Sequence, residues 1–270
     1  MHGVGLQNYF VSVMYRTGIA IGKRTDVADI RRLVARLHPI ISAAPLIRLG
    51  CDDDGGYLVP DDLDGITACF SPGGNRASFE SSLIAVGIRC HLADLSGDTN
   101  PLPPGQSTFI QKNVGVINDL EHVTVDQWVA EFEPGDSDLL LQMDIEGAEW
   151  SSVLRMSDIT LQRFRIIVLE CHDLERLMER HSFITISDVF DRLLSTHYIV
   201  HIHPNNWSGT VRAKDIVIPR AIELTFVRKD RITQVLPARS FPHVLDRPNT
   251  ARFRDVPLPD SWYESSGTEA

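Results

Sequence analysis

The chain has 270 residues, and its 26 Lys and Arg against 36 Asp and Glu give a formal net charge of −10. A hydrophobic fraction of 43% is normal for a folded globular protein and excludes a disordered chain. The acidic balance disfavours nucleic acid or an anionic membrane as the main partner, because either would need a basic surface. A chain of this length can bury a large core as a single α/β domain.

Neither a membrane span nor a signal peptide is expected. No apolar run approaches the roughly 20 residues that a spanning helix needs. Segment 1–23 lacks a basic start followed by an unbroken apolar stretch. The four cysteines form no C-x-x-C pair, which favours reduced thiols over a zinc site or a disulfide framework. These features together favour a cytoplasmic protein.

Apolar residues at helical spacing predict a helix within residues 25–45, and the Asp- and Gly-rich segment 50–65 predicts a loop or hairpin. Downstream, short apolar segments alternate with amphipathic ones. The predicted strands are 66–71, 89–92, 107–111, 139–143, 165–169, 198–202 and 222–228. The predicted helices are 76–86, 125–132, 148–156, 174–180 and 186–195.

This alternation predicts a mainly parallel α/β sheet of seven strands with helices on both faces. Loop 204–220 has no helical pattern, so the last two strands are expected to pair antiparallel. The expected organisation is an N-terminal helical extension over residues 1–47, a catalytic domain over 48–230 and a Pro-rich C-terminal arm over 231–270. Because proline fixes the backbone, we expect this arm to be extended and packed on the domain, or partly ordered.

Polar residues follow the first two predicted strands, where open α/β sheets bind ligands. The loop Ser-Pro-Gly-Gly-Asn at residues 71–75 lets the backbone approach a ligand closely. Asp94 lies 20 residues after Gly74, the spacing at which dinucleotide-type folds place a ribose-binding acid. Neither G-x-G-x-x-G nor a P-loop motif is present, which favours a nucleoside ligand without a pyrophosphate. An ordinary turn with Ser78 as helix N-cap is the alternative.

Acidic residues and a histidine end strands four and five. Asp144 and Glu170 follow very apolar strands that should be neighbours, so we expect them to share a crevice and to suit Mg²⁺ as oxygen ligands. Glu146 and His172, each two residues further on, could accept a proton from a hydroxyl. Capping of the following helices by these acids is the alternative.

The end of the sixth strand carries a third polar cluster. Strand alternation places His201 and His203 on one face, and Asn206 and Trp207 follow them. Amides bond hydroxyl groups and an indole covers an apolar sugar face, so this cluster suits sugar binding. An ordinary polar loop is nearly as consistent with the sequence.

Several of these segments resemble the FkbM-type methyltransferases, which are S-adenosylmethionine-dependent O-methyltransferases. The resemblance covers roughly residues 48–228. The segments are Asp-Gly-Gly-Tyr at 54–57, Phe-Ser-Pro-Gly-Gly at 70–74 with Ser-Phe-Glu at 78–80, Met-Asp-Ile-Glu-Gly-Ala-Glu-Trp at 143–150 and Val-Leu-Glu-Cys-His at 168–172. The resemblance implies a Rossmann-like class I methyltransferase sheet with strand order 3-2-1-4-5-7-6, in which only strand seven is antiparallel.

The resemblance also implies roles for individual residues. For S-adenosylmethionine they are Ser71, Gly73 and Asn75 at the methionine moiety with Ser78 beside them, Asp94 at the ribose, and Asn113 or Val114 at the adenine. Asp144 and Glu170 occupy the positions of Mg²⁺ ligands in metal-dependent sugar O-methyltransferases, and Glu146 occupies that of a candidate base. His172 or His203 could serve as a ligand or base.

The sequence therefore predicts methyl transfer from S-adenosylmethionine to a sugar hydroxyl, assisted by Mg²⁺. The acceptor would be a saccharide or glycoside, with a methylmannose-type oligosaccharide as the most specific candidate, and a homodimer is compatible with the terminal segments. The predicted catalytic residues are Glu146 and His172, and the predicted acceptor-binding residues are Asp54, Tyr57, His203, Asn206 and Trp207. A nucleotide-dependent oxidoreductase or sugar-modifying enzyme on a similar sheet is the main alternative, and a non-catalytic binding module is a second.

Overall fold

A seven-stranded sheet forms the centre of the fold in the computed structural model, which describes residues 22–73 and 77–264. The strands are β1 (Leu46–Leu49), β2 (Tyr57–Pro60), β3 (Ile66–Pro72), β4 (Arg89–Ala93), β5 (Ser107–Ile110), β6 (Asn113–Val114), β7 (His122–Val123), β8 (Asp138–Met143), β9 (Phe164–Cys171), β10 (His197–Pro204), β11 (Thr210–Ala213), β12 (Ile216–Pro219) and β13 (Ile222–Arg228). The α-helices are α1 (Val27–Arg36), α2 (Ser78–Ala85), α3 (Val125–Phe132), α4 (Glu149–Arg155), α5 (Asp158–Arg163) and α6 (Arg180–Thr196). Three 3₁₀-helices cover Leu174–Met178, Lys229–Arg231 and Asp260–Trp262.

The strands of the central sheet lie in the order β5-β4-β3-β8-β9-β13-β10. All neighbouring pairs are parallel except those of β13, which is antiparallel to both β9 and β10. Numbered along the chain, these seven strands lie in the order 3-2-1-4-5-7-6. The predicted α/β class, with seven strands and helices, is therefore confirmed.

The continuous apolar character of the middle strands reflects burial on both faces of the sheet. Along β8, Leu139 and Leu141 belong to one hydrophobic core and Leu140 to another. The first core also contains Phe190 of α6, and the second contains Leu83 of α2. Successive side chains of a strand point to opposite faces, so a strand covered by helices on both sides has no polar face to show.

Several elements differ from the sequence prediction. The first helix ends at Arg36 rather than running through residues 25–45, because Pro39 follows closely and Ile40 instead pairs with Pro237 of the arm. The segment predicted as helix 174–180 is a 3₁₀-helix ending at Met178, and α6 begins at Arg180, earlier than predicted. Loop 204–220 contains the hairpin β11–β12.

The amino ends of β8 and β9 carry a network of ion pairs. The carboxylate of Asp138 lies 2.8 Å from the guanidinium of Arg165 and 2.6 Å from that of Arg228. Asp62 lies 3.5 Å from Arg165 and 2.7 Å from Arg231. Positive and negative side chains thus alternate at the amino ends of these parallel strands. Ligands are expected at the opposite, carboxyl ends.

The described part of the C-terminal arm packs on the domain. Leu258 and Trp262 are buried, and the indole N–H of Trp262 donates to the carbonyl of Val217 at 2.9 Å. Nearer its start, the backbone N–H of Ala238 donates to the carbonyl of Pro39 at 3.0 Å. In the described residues every helix is too short or too polar to cross a membrane.

Candidate active site

A cavity of about 410 Å³ lies at the carboxyl ends of β3 and β4. Gly73 and Asp94 line it from the ends of these strands, and Asn113 and Val114 line it from β6. Ile145, after β8, closes the side toward the middle of the sheet. The structure therefore brings together four residues that the sequence predicted to bind the cofactor.

Gly73 can approach its neighbours only because it has no side chain. Its φ is +91°, and a Cβ atom on it would lie 2.0 Å from the carbonyl oxygen of Asp144. Its N–H donates to the carbonyl of Ala93 at 3.1 Å. Gly73 is thereby held between the ends of β4 and β8, where it lines the cavity.

Two other predicted cofactor residues take part in buried or local hydrogen bonds. The Ser71 hydroxyl is buried, with Glu80 in hydrogen-bond contact and Gln142 Oε1 at 2.7 Å. The Ser78 hydroxyl accepts from the N–H of Cys51 at 3.2 Å and donates to the carbonyl of Gly55 at 3.1 Å, so it fixes the β1–β2 loop. Asn75 lies outside the described residues.

Beside this cavity, three carboxylates converge on one imidazole. The Nε2 atom of His172 lies 3.7 Å from Asp144, 3.6 Å from Glu146 and 3.6 Å from Glu170. Glu170 is buried, whereas the Glu146 side chain is 87% exposed, and its backbone adopts the left-handed region at φ +55°. The positive φ turns the chain so that Asp144 and Glu146 can both face His172. All four residues of the predicted metal and base set thus meet at one point.

Glu149 orients this cluster, a role that the sequence analysis missed. Its buried carboxylate accepts from the N–H groups of Ile145 and Gly147, both at 2.8 Å. It also accepts from His172 Nδ1 at 3.0 Å, which leaves His172 Nε2 facing the other acids. The only signal was its place as the third acid of the Asp-x-Glu-Gly-x-Glu segment.

The electrostatics of the cluster follow from burial and crowding. Burial of the His172 ring favours its neutral form, but the hydrogen bond and charge of Glu149, with Glu170 and Asp144, raise its pKa to about 9. Burial raises the pKa of Asp144 to about 7, against the opposing charge of His172 and with help from Glu146 and Glu149. Burial also raises the pKa of Glu170, and the charges of Asp144 and Glu223 add to it. The nearby protein groups therefore do not fully neutralise the negative charge of the cluster, and added positive charge would stabilise it.

The side chains of this cluster fit a hard divalent cation. One ligand atom each of Asp144, Glu149 and His172 lies within 4.8 Å of the others. The Oδ1 atom of Asp144 and the Oε2 atom of Glu170 are buried and have no hydrogen-bond partner among the described residues. Buried oxygens without a donor are what a bound cation would satisfy, and oxygen ligands suit Mg²⁺.

The predicted acceptor-binding residues lie on the other side of Glu170. On β10, His203 Nδ1 lies 3.4 Å from Glu223 of β13, and Glu223 is the register partner of Glu170 on β9. Tyr57 is buried and its hydroxyl accepts from Gln142 at 3.3 Å. Glu170, Glu223 and His203 thus form a polar row across the adjacent strands β9, β13 and β10.

The C-terminal arm meets the same region through Asn206, Trp207 and Asp54. The Asn206 amide donates to the carbonyls of Thr250 and Phe253 at 2.8 and 3.1 Å, and it accepts from the Thr250 N–H at 3.0 Å. The Trp207 ring lies edge to face against Phe253, with the centroids 5.7 Å apart. The N–H of Asp54 donates to the carbonyl of Asn249 at 3.2 Å.

Two further amide contacts, one from the residue that follows β10 and one from the arm, were not predicted from the sequence. Asn205 donates to Glu170, and the Asn249 amide donates to Glu223. Both contacts join residues distant in the chain, and a single amide side chain in a loop gave no signal for either.

The sequence model of the methyltransferase FkbM domain matches residues 43–194, more than half of the chain. No curated protein matches the sequence significantly. Among solved structures, a crystal structure of a proposed RNA methyltransferase from Pyrococcus horikoshii is similar at a TM-score of 0.32 and 10% identity, over 62% of this chain and 76% of that one. That similarity is too low to bear on the reaction. The family match and the predicted segments agree, and the chain belongs to the FkbM methyltransferase family.

Proposed function

We propose that this methyltransferase uses S-adenosylmethionine to methylate a sugar hydroxyl, with Mg²⁺ assisting. The observation that carries the proposal is the contact between the cavity and the carboxylate cluster. Ile145 lines the cavity, and the adjacent Asp144 belongs to the cluster. A methyl donor in the cavity and an acceptor at the cluster would therefore meet across one short loop.

The cavity suits the nucleoside half of the donor. The Asp94 carboxylate accepts from the N–H and the hydroxyl of Ser96 through Oδ1 at 2.8 and 2.7 Å, which fixes its orientation at the end of β4. A carboxylate held there can accept hydrogen bonds from ribose hydroxyls. Asn113 and Val114 would then lie near the adenine, and Gly73 near the sulfur-bearing chain. The strand order supports the same donor, because ligands of such sheets bind at the carboxyl ends beside the first strand.

The cluster suits activation of a hydroxyl. His172, held by Glu149, presents Nε2 toward the acids, and Glu146 is the more exposed candidate base. A divalent cation, when bound, would supply positive charge that lowers the pKa of the acceptor hydroxyl and of His172. His172 or Glu146 would then take the proton, while the surrounding side chains align the acceptor oxygen with the methyl group.

The polar row favours a neutral, hydroxyl-rich acceptor. Buried carboxylates of Glu170 and Glu223 would repel an anionic acceptor, whereas hydroxyl groups can donate to carboxylates and accept from imidazole or amide groups. Asp54, Tyr57, His203, Asn206 and Trp207 are proposed to position such an acceptor.

Two measurements test the proposal. In calorimetry, S-adenosylhomocysteine should bind and NAD should not; binding of NAD alone would refute the donor and favour a nucleotide-dependent oxidoreductase.

In a methyl-transfer assay, a panel of free, lipid-linked and oligomeric sugars is offered with Mg²⁺ or with EDTA. Asp144→Asn and Glu170→Gln should abolish turnover, and Glu131→Gln, on the exposed face of α3, should not. Full activity in EDTA would remove the metal and leave the transferase intact.

A further inference from the structure

Trp207 and Phe253 form an exposed aromatic pair beside the candidate acceptor site. The two residues are 49% and 46% exposed, and their rings lie edge to face with centroids 5.7 Å apart. The guanidinium of Arg252 lies 5.4 Å from the centre of the Phe253 ring. We call Trp207 and Phe253 the aromatic platform. Half-exposed aromatic rings leave apolar surface in water, which is unfavourable unless something covers it.

The loop after β10 connects the platform to the carboxylate cluster. Asn205 donates to Glu170 and accepts from the N–H of Trp207 at 2.8 Å. The next residue, Asn206, holds the arm. Trp207, which follows it, contributes one ring of the platform. Two residues span at most about 7 Å, so the Trp207 backbone is fixed close to the Asn205–Glu170 contact.

The arm supplies the second ring, and its position is fixed by the protein rather than left to a mobile tail. The three hydrogen bonds of Asn206 hold the backbone at Thr250 and Phe253. Phe253 lies well beyond residue 194, where the family match ends. This ring therefore belongs to a part of the chain that can set specificity without altering the shared domain.

Resting on the proposed function, we propose that the platform is a subsite for a second sugar ring, so that the acceptor is an oligosaccharide. The C–H face of a pyranose ring is apolar and flat enough to lie on an aromatic ring, while its edge carries hydroxyl groups. The exposed area of the two side chains is roughly 200 Å², far below the roughly 800 Å² per partner of a stable protein interface. One sugar ring is an occupant of matching size.

Trp207 provides a direct readout of binding that does not need turnover. The other three tryptophans, Trp128, Trp150 and Trp262, are buried. A sugar stacked on Trp207 should shield it from acrylamide and shift its emission to shorter wavelength. The probes are matched mono- and tetrasaccharides of mannose, glucose and galactose, titrated into the full chain saturated with S-adenosylhomocysteine.

For at least one sugar, the tetrasaccharide should bind about tenfold more tightly than its monosaccharide, because a stacked ring adds about one factor of ten in affinity. Trp207→Ala or Phe253→Ala should remove most of this preference, and Trp207→Phe should keep most of it while losing the fluorescence response. Val244→Ala, which changes another exposed apolar side chain of the arm, should keep both preference and response.

Different failures have different meanings. Equal affinity for mono- and tetrasaccharides, or a preference unaffected by Trp207→Ala, overturns the platform even if sugars are methylated. Loss of a dimer or of vesicle binding in Trp207→Ala, seen by sedimentation, also overturns it, since another partner would then occupy the rings. If S-adenosylhomocysteine itself does not bind, the proposed function fails instead.

Discussion

Replacing Gly73 by Ala should damage both stability and donor binding, for two reasons that can be separated. At φ +91° an Ala residue is strained, and its Cβ would lie 2.0 Å from the Asp144 carbonyl oxygen, where contacts below 3.0 Å essentially never occur. The strain of an Ala residue at this positive φ costs about 1–2 kcal/mol. The overlap forces the backbone at Gly73 or Asp144 to move by about 1 Å, and we expect this to cost at least about 2 kcal/mol more.

Gly87 offers a matched control for the strain alone. Its φ is +87°, close to that of Gly73, but a Cβ on it would meet no atom within 4 Å. Gly87→Ala should therefore lower the free energy of unfolding by about 1–2 kcal/mol and leave donor binding unchanged.

Urea unfolding and calorimetry with S-adenosylhomocysteine provide the two readouts. Gly73→Ala should lose about 2 kcal/mol more than Gly87→Ala and bind the ligand at least about tenfold more weakly, because Gly73 itself lines the cavity. Equal losses of stability, with unchanged affinity in both variants, would show that the close approach of Gly73 to Asp144 does not shape the cavity.

Three further predictions concern other parts of the molecule. Glu149→Gln places an amide N–H₂ against one of three N–H donors and should lower the free energy of unfolding by about 3 kcal/mol, seen as a fall of about 5 °C in Tm that Glu131→Gln does not show. Burial lowers the pKa of His197 to about 4 from 6.5, so only the unfolded chain takes up this proton between those values. Stability should then fall by up to about 3 kcal/mol as the pH drops from 6.5 to 4, and a His197→Gln variant with the same pH profile as wild type in urea unfolding would contradict this. Asn206→Ala should release the arm and speed tryptic cleavage after Arg252 about tenfold, whereas unchanged cleavage would mean that the three Asn206 hydrogen bonds are not what holds the arm.

The fold could be predicted largely because its centre is built from local patterns. The strands β8 and β9 are short continuous apolar runs, and their burial between two cores requires such runs. The hairpin β11–β12 was missed because its turn at Lys214 adopts φ +57° without the Gly or Asn that normally marks such a turn. The end of α1 was misplaced because Ile40 continues the helical spacing but pairs with the arm.

The grouping of the candidate site residues was predictable where topology alone places them together. Asp144 and Glu170 end adjacent parallel strands, and the structure does bring both to His172. The contacts of Asn205 and of Asn249 could not be predicted, since they depend on how a loop and a distant arm fold back over the sheet. Glu149 resembled an ordinary first-turn acid, and only its hydrogen bond to His172 distinguishes it.

The amino and carboxyl ends of the parallel strands differ in how their charges are balanced, and this gives the molecule an electrical polarity. At the amino ends, Asp138 and Asp62 are neutralised by arginines. At the carboxyl ends, three carboxylates converge on His172. Such a field attracts cations to the carboxyl ends of the strands, and it weakens as salt is added. Under the proposed function the donor carries a sulfonium charge that its product has lost. As long as no divalent cation neutralises the cluster, the same field would speed arrival of the donor and hold the spent product less tightly, so turnover itself would remove the attraction.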